Sequence, residues 1–227
     1  MKLSGYIKKI IPLKLKLAVN RYLFTKKYGF LPPPLFTDMG GYEYLLDAII
    51  QQKICQLEGD FVEIGAFLGG GTYKLSKLID KFALDKKVYA VDVFDPDFDK
   101  TERGDGKTMS ELYNFQLKGK NQYEIYKKTT KDCKNVITLS GDSKKIAVPC
   151  QKISFAYIDG NHSAEYVRND FYLVWDKLVS RGIVAFDDYG CDLLGVTEMA
   201  DWLISQHSDK ILRTWRTPPK TLFIQKK

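Results

Sequence analysis

The chain has 227 residues, 44% of them apolar and 13% aromatic, a size and composition that suit one domain with a sizeable core and exclude a disordered or fibrous protein. Its four cysteines (Cys55, Cys133, Cys150, Cys191) are scattered without a CxxC pair or a Cys/His cluster, which excludes a disulfide framework and a zinc site and reads as reduced cytosolic thiols. The net charge of +7 is local: residues 1–27 carry eight basic side chains (Lys2, Lys8, Lys9, Lys14, Lys16, Arg21, Lys26, Lys27) and no acidic one, so the body is near neutral and lacks the basic face of a nucleic-acid binder.

Residues 1–39 read as a basic N-terminal extension closed by a proline-rich connector, and residues 40–227 as one folded domain. The extension interleaves its lysines with Leu3, Ile7, Ile10, Ile11, Leu13, Leu15 and Leu17. Lys8, Lys9, Lys14 and Lys16 break every apolar run, so it is neither a signal peptide nor a transmembrane span. Two readings stay open: a helix packed on the domain or on a second subunit of a homo-oligomer, or a segment resting on an anionic membrane surface. The protein is then cytoplasmic, or cytoplasmic and membrane-peripheral.

Leu31-Pro32-Pro33-Pro34 predicts a stiff extended connector. Thr37 or Asp38 is placed to cap a helix over Tyr42–Lys53, where Tyr42, Leu45, Leu46, Ile49 and Ile50 follow helical spacing. Short apolar runs then predict strands at Phe61–Ile64, Val88–Val91, Val136–Leu139, Ile153–Ile158, Ile183–Phe186 and Thr221–Ile224. Amphipathic helices fall at Thr72–Phe82, Ala164–Val179 and Val196–Gln206. The stretch Asp95–Asn135 breaks the alternation, with a loop over Asp95–Thr108 and helices over Ser110–Leu117 and Tyr123–Asp132; it is a lid or a surface excursion. Apolar strands separated by helices predict an α/β fold, a doubly wound, mostly parallel sheet with helices on both faces.

Such a sheet binds ligands beyond the carboxyl ends of its strands. The first strand ends in Glu63-Ile64-Gly65, followed by Ala66, Phe67, Leu68, the glycines Gly69–Gly71 and Thr72. Glycines there bring backbone N–H groups close to a ligand at a helix start, or simply make a tight turn. The spacing is not GxGxxG, which argues against a dinucleotide. The second strand ends in Asp92, a carboxylate suited to ribose hydroxyls, and the third in Gly141-Asp142-Ser143. The fourth ends in Asp159-Gly160-Asn161-His162 and the fifth in Asp187-Asp188-Tyr189. Asp159, Asp187 and Asp188 around one point would repel unless a divalent cation joined them, magnesium or calcium rather than zinc. Helix capping by Asp187, Asp188 and Ser163 is the alternative. His162 reaches the same cleft as a general base or a metal ligand. His207 reads as solvated. Arg213, Arg216 and Lys220 read as solvated surface or as facing a phosphorylated or nucleotide-linked substrate.

The strings FVEIGAFLGGGT, VYAVDVF, GDS, YIDGNHSAEYVRNDF and GIVAFDDYG, with Gly195-Val196 downstream, resemble the class I S-adenosylmethionine methyltransferases. Within these, residues 40–227 are most similar to the metal-dependent macrocin O-methyltransferase-like sugar O-methyltransferases. The resemblance implies a Rossmann-like fold and S-adenosylmethionine held by Glu63, Gly65, Ala66, Gly69, Gly71, Thr72 and Asp159, with its methionine part on Glu63, Gly65 and the glycines to Gly71. It puts the ribose on Asp92 and the adenine on Asp142 and Ser143. It implies Mg2+ or another divalent cation on Asp159, Asp187 and Asp188, with His162 and Asp159 as catalytic residues and His162 as the base. Some relatives carry an aspartate two residues after the first metal ligand; Asn161 stands there, so the base role falls to His162 or to metal-bound water. The implied acceptor is a hydroxyl of a small molecule, a sugar or glycoside. A catechol or phenol, or cofactor binding without catalysis, are the alternatives.

Overall fold

The computed structural model describes residues 12–38, 42–218 and 220–227. Expectations that fall on residues 1–11 lie outside the described residues. A helix α1 (Leu13–Tyr28) leads through the proline connector and a short 3-10 turn (Leu35–Thr37) to α2 (Glu43–Gln51). There follow β1 (Asp60–Ile64), α3 (Gly70–Lys81), β2 (Val88–Asp92), α4 (Met109–Leu117), α5 (Gln122–Thr130), β3 (Val136–Ser140), β4 (Ile153–Ile158) and α6 (Ala164–Trp175). The chain continues with β5 (Leu178–Phe186), α7 (Leu194–Gln206), β6 (Ile211–Thr217) and β7 (Thr221–Lys226).

The seven strands form one sheet in the order β3-β2-β1-β4-β5-β7-β6. β1 to β5 are parallel, while β7 runs antiparallel between β5 and β6. The winding reverses between β1 and β4, which opens the crevice at their carboxyl ends.

Every residue of β4 is buried, as a strand covered on both faces must be. Its side chains alternate between two cores. Ala156 and Ile158 join Val62, Val184 and Phe186 under Phe171, Val174 and Trp175 of α6 and Ala200 and Leu203 of α7. Phe155 and Tyr157 join Phe61, Ile183 and Phe223 under α2 and α3. Phe24 and Tyr28 of α1 belong to this second core, and the Tyr28 hydroxyl donates to Asp47 at 2.8 Å.

Three local expectations are corrected. The helix predicted to reach Val179 stops at Trp175, because Leu178 already pairs with Ile153 as the first residue of β5. β6 was not foreseen: it is the outer strand of the hairpin, with Arg213 and Arg216 exposed, and shows no apolar run. Neither Thr37 nor Asp38 caps α2. That place falls to Tyr42 in the left-handed region (φ 49), while Asp38 pairs with Lys74 at 2.7 Å. Lys74 is wholly buried, also meets Glu43 at 3.0 Å, and lies over the Phe24 ring, so one ammonium joins α1, the connector, α2 and α3. Among the described residues no helix is long and apolar enough to cross a membrane.

Candidate active site

One cavity gathers the ends of all five parallel strands. Gly65 and Phe67 line it after β1, Asp92 and Val93 after β2, Gly141, Asp142 and Ser143 after β3, Asp159 to His162 after β4, and Asp187 and Asp188 after β5. Phe98, Asp99, Met109, Leu112 and Tyr113 close it from the stretch after β2, so that stretch lies over the cavity.

Gly65 takes φ 92, and a Cβ there would collide with the Asp159 carbonyl. The loop after β1 and the end of β4 are in direct contact, with the Asp159 N–H donating to Ile64 at 2.8 Å. Gly71 is required for a different reason: its Cβ would strike the Glu63 carboxylate. Glu63 is buried beneath the loop and accepts from the Thr72 hydroxyl; burial pushes it up to about 8, against that hydrogen bond. Ala66 is buried with Ala90 and Tyr126, and Gly69 caps α3 in the left-handed region. Glu63, Ala66, Gly69, Gly71 and Thr72 thus shape the loop from behind, while Gly65 and Phe67 present its backbone to the cavity.

Asp92 accepts the N–H groups of Phe67 at 2.7 Å and Phe94 at 2.6 Å, and the Gln122 amide at 3.3 Å. Burial pushes it up to about 6 against these bonds. A carboxylate has about four acceptor positions, so the Gln122 amide is the exchangeable partner. Asp142 accepts from the Lys144 N–H and the Tyr166 hydroxyl. Asp170 of α6, not foreseen from the sequence, lines the cavity close to Gly160.

Asp159, Asp187 and Asp188 converge as expected, and they do not cap helices. The N-cap of α7 is Leu193, and Ser163 makes no side-chain cap to α6. Asp188 sits at φ 54, a strained position for a residue with a side chain and one typical of functional sites. Lys220, at the turn into β7, is the resident cation: its ammonium meets Asp187 at 2.7 Å and Asp188 closer still. Thr221 also donates to Asp187 at 2.9 Å. Asp159 accepts from the Tyr157 hydroxyl at 3.3 Å and is held well above the usual carboxylate range by burial and by Asp187 and Asp188.

His162 is 3% exposed and fixed at both ring nitrogens. Nδ1 lies 2.6 Å from Asp99 and Nε2 lies 2.9 Å from Asp188. Burial alone would lower its pKa, but Asp188 and Asp99 outweigh it and push it up to about 10. Burial likewise works upward on Asp188, yet His162 and Lys220 hold it at about 2. With both carboxylates engaged, the ring is an imidazolium at neutral pH and holds its proton.

The fit for a metal follows from these donors. One ligand atom each from Asp159, His162 and Asp188 lies within 4.8 Å of the others. His162 as an imidazolium has no lone pair to give, so the carboxylates Asp159 and Asp188 are the donors that would hold a divalent cation. Asp187 and the Lys220 ammonium flank the group.

His207 is not merely solvated: its Nε2 meets the Tyr172 hydroxyl at 3.1 Å and its ring packs on Phe171 and Trp175. Arg213 bonds Gln225, and Arg216 covers the Tyr189 ring, both on the hairpin surface. Asp99 and Asp170 are site residues that the sequence did not point to, and Lys220, expected at the surface or facing a substrate, instead pairs with Asp187 and Asp188.

The model of a methyltransferase-domain family matches residues 62–189, more than half of the chain. The chain belongs to that methyltransferase family. No curated protein matches its sequence. Among solved structures the methyltransferase is similar to the O-methyltransferase NovP, at 17% identity and a TM-score of 0.64, over 84% of this chain and 80% of that one. It is also similar to CalS11, described as a TDP-rhamnose 3'-O-methyltransferase of calicheamicin biosynthesis, at 16% identity and a TM-score of 0.55, over 80% and 77%. A Streptococcus mutans chain solved in complex with SAH matches at 14% identity and a TM-score of 0.52, over 78% and 96%. At these identities the likeness is one of fold, and it agrees with the doubly wound sheet described above.

Proposed function

We propose that this methyltransferase moves the methyl group of S-adenosylmethionine to a hydroxyl of a sugar or glycoside, with a divalent cation at Asp159, Asp187 and Asp188. The observation that carries this reading is the single cavity that joins Gly65, Asp92, Asp142 and Ser143 to the carboxylate cluster and His162. One side has the groups an adenosyl ligand needs, and the other has the groups that prepare a hydroxyl for attack. CalS11, described as acting on TDP-rhamnose, and the fold neighbour that holds SAH agree with it.

In this reading the backbone at Gly65 and Phe67 holds the methionine end of the cofactor. Asp92 takes a ribose hydroxyl in place of Gln122, and Asp142 and Ser143 border the adenine. A bound divalent cation supplies Lewis acidity, lowering the pKa of an acceptor hydroxyl. The acceptor oxygen forms its bond to the methyl carbon as the sulfur–carbon bond breaks, and alignment of the two supplies most of the acceleration. His162 receives the hydroxyl proton on Nε2 once Asp188 has turned away from the ring and the ring has lost the proton it now holds. Asp99 keeps Nδ1–H in either state, fixing the tautomer that leaves Nε2 available.

Phe67, Phe98, Tyr113 and Tyr166 on the cavity wall favour a second reading, a catechol or phenol as acceptor. Isotopically labelled S-adenosylmethionine, offered with nucleoside-diphosphate sugars, glycosides and catechols in Mg2+ or in EDTA, separates the two. Transfer to a sugar that EDTA abolishes supports the first reading, and transfer to catechols alone selects the second. Cofactor binding without transfer would leave a non-catalytic binder, and absence of cofactor binding overturns both. Asp188→Asn is expected to abolish turnover while leaving cofactor affinity nearly intact; magnesium-dependent activity retained in that variant rejects the metal assignment.

A further inference from the structure

Helix α1 has apolar side chains on two opposite faces. Phe24 and Tyr28 point into the core. Leu15, Val19, Tyr22 and Leu23, spaced i, i+4, i+7 and i+8, point away from it and are 53%, 45%, 63% and 54% exposed. Leu23 also lines a surface groove with Leu35, which is itself 66% exposed, so the apolar patch runs on from the helix into the connector.

The charges on α1 itself are all of one sign, and Asp38 and Glu43, which share the groove, are paired with Lys74. The first acidic residue of the sequence is Asp38, and eight basic residues precede it. Lys27 is satisfied by Asp47, but among the described residues Lys14, Lys16, Arg21 and Lys26 have no carboxylate within 4.0 Å. A second copy of the chain is a poor occupant. A two-fold contact would set this cationic helix against itself, since such an interface uses the same patch on both subunits. A nucleic acid would use the cations and leave the leucines and valine in water.

We propose that the outer face of α1 docks on an anionic membrane surface. Its apolar side chains enter the boundary between headgroups and acyl chains, and its lysines extend to the lipid phosphates. The helix lies along the surface, since it does not meet the length and apolarity of a span. The proposal rests on α1 alone and does not depend on the methyl acceptor.

The full chain is tested by flotation with vesicles of phosphatidylcholine, pure or with about one-third phosphatidylglycerol. The bound fraction is expected to rise at least about tenfold on the anionic vesicles and to fall sharply at about 1 M salt, where the screening length is roughly 3 Å. Leu15→Ser with Val19→Ser, and separately Lys14→Glu with Lys16→Glu, are each expected to lower binding at least about tenfold, with an unchanged melting temperature showing that the body is folded. Equal binding to both vesicle types, or none to either, overturns the proposal. So does a dimer in light scattering that Leu15→Ser with Val19→Ser dissolves, which would assign the face to a second copy.

Discussion

His162 stands between two carboxylates of opposite consequence. Asp99 holds Nδ1 at 2.6 Å in a buried contact, while Asp188 shares Nε2 with the cavity. Replacing Asp99 by Asn removes the charge and offers the ring the wrong partner, so turnover is expected to fall about 10²–10⁴-fold. Cofactor affinity stays unchanged, and the ascending limb of the pH–rate profile, where His162 loses its proton, moves to lower pH. A calorimetric titration and a pH series measure these; an unshifted profile would reduce Asp99 to a packing role. Lys220 yields a separate expectation. Its ammonium holds the carboxylates a cation would need, so Lys220→Met should bind Mn2+ at least about tenfold more tightly than the parent, about 1.4 kcal/mol. Paramagnetic resonance of free Mn2+ reads that affinity directly. Neither role was legible in the sequence. Asp99 lies 63 positions from His162 and Lys220 lies 32 from Asp188, and no local period connects such pairs. Asp187 and Asp188 were legible because a parallel strand must end where its apolar run ends.

Among the elements, α1, the connector and α2 meet α3 at one buried side chain. Lys74 is wholly buried between Asp38 and Glu43 and under Phe24. Lys74→Met keeps the bulk but leaves Asp38 as a nearly buried charge without this partner, a loss of about 3 kcal/mol. For a chain of this size that corresponds to a fall of roughly 6–12 °C in Tm, which calorimetry measures. Asp38→Asn with Lys74→Met should recover part of it, because the pair then goes together. Sequence reasoning gave Asp38 to a helix cap, since a capping residue before an apolar helix is the local explanation; the competing partner was a lysine 36 positions away. The end of α6 misled in a similar way. Leu178 satisfies the helical spacing of α6 as well as the first pair of β5, and the sheet takes it. β6 was invisible because an edge strand with exposed arginines lacks the apolar run that marks a buried one.

For the whole molecule, the buried titratable groups set how stability changes with pH. His162 is raised to about 10 from an ordinary value near 6.5, so its contribution is complete below about pH 6.5 and is lost as pH rises through about 10. Glu63, raised to about 8, adds an ionisation penalty that grows between about pH 4.3 and 8. Asp188, lowered to about 2, acts oppositely, and its contribution disappears only as pH falls from about 4. The metal-free protein should therefore melt highest at mildly acidic pH and progressively lower toward pH 10. His162→Gln should flatten the alkaline part of that slope, and scanning calorimetry in EDTA checks both. The sheet order itself was legible, because alternating strands and helices leave few ways to wind. Gly65 belongs by position to the cofactor loop, yet the atom a side chain there would strike is the Asp159 carbonyl. A Gly65→Ala variant would thus push the loop after β1 against the end of β4 and disturb the proposed acceptor side of the cavity along with the proposed cofactor side. A lesion at residue 65, assayed by cofactor binding alone, would be misdiagnosed.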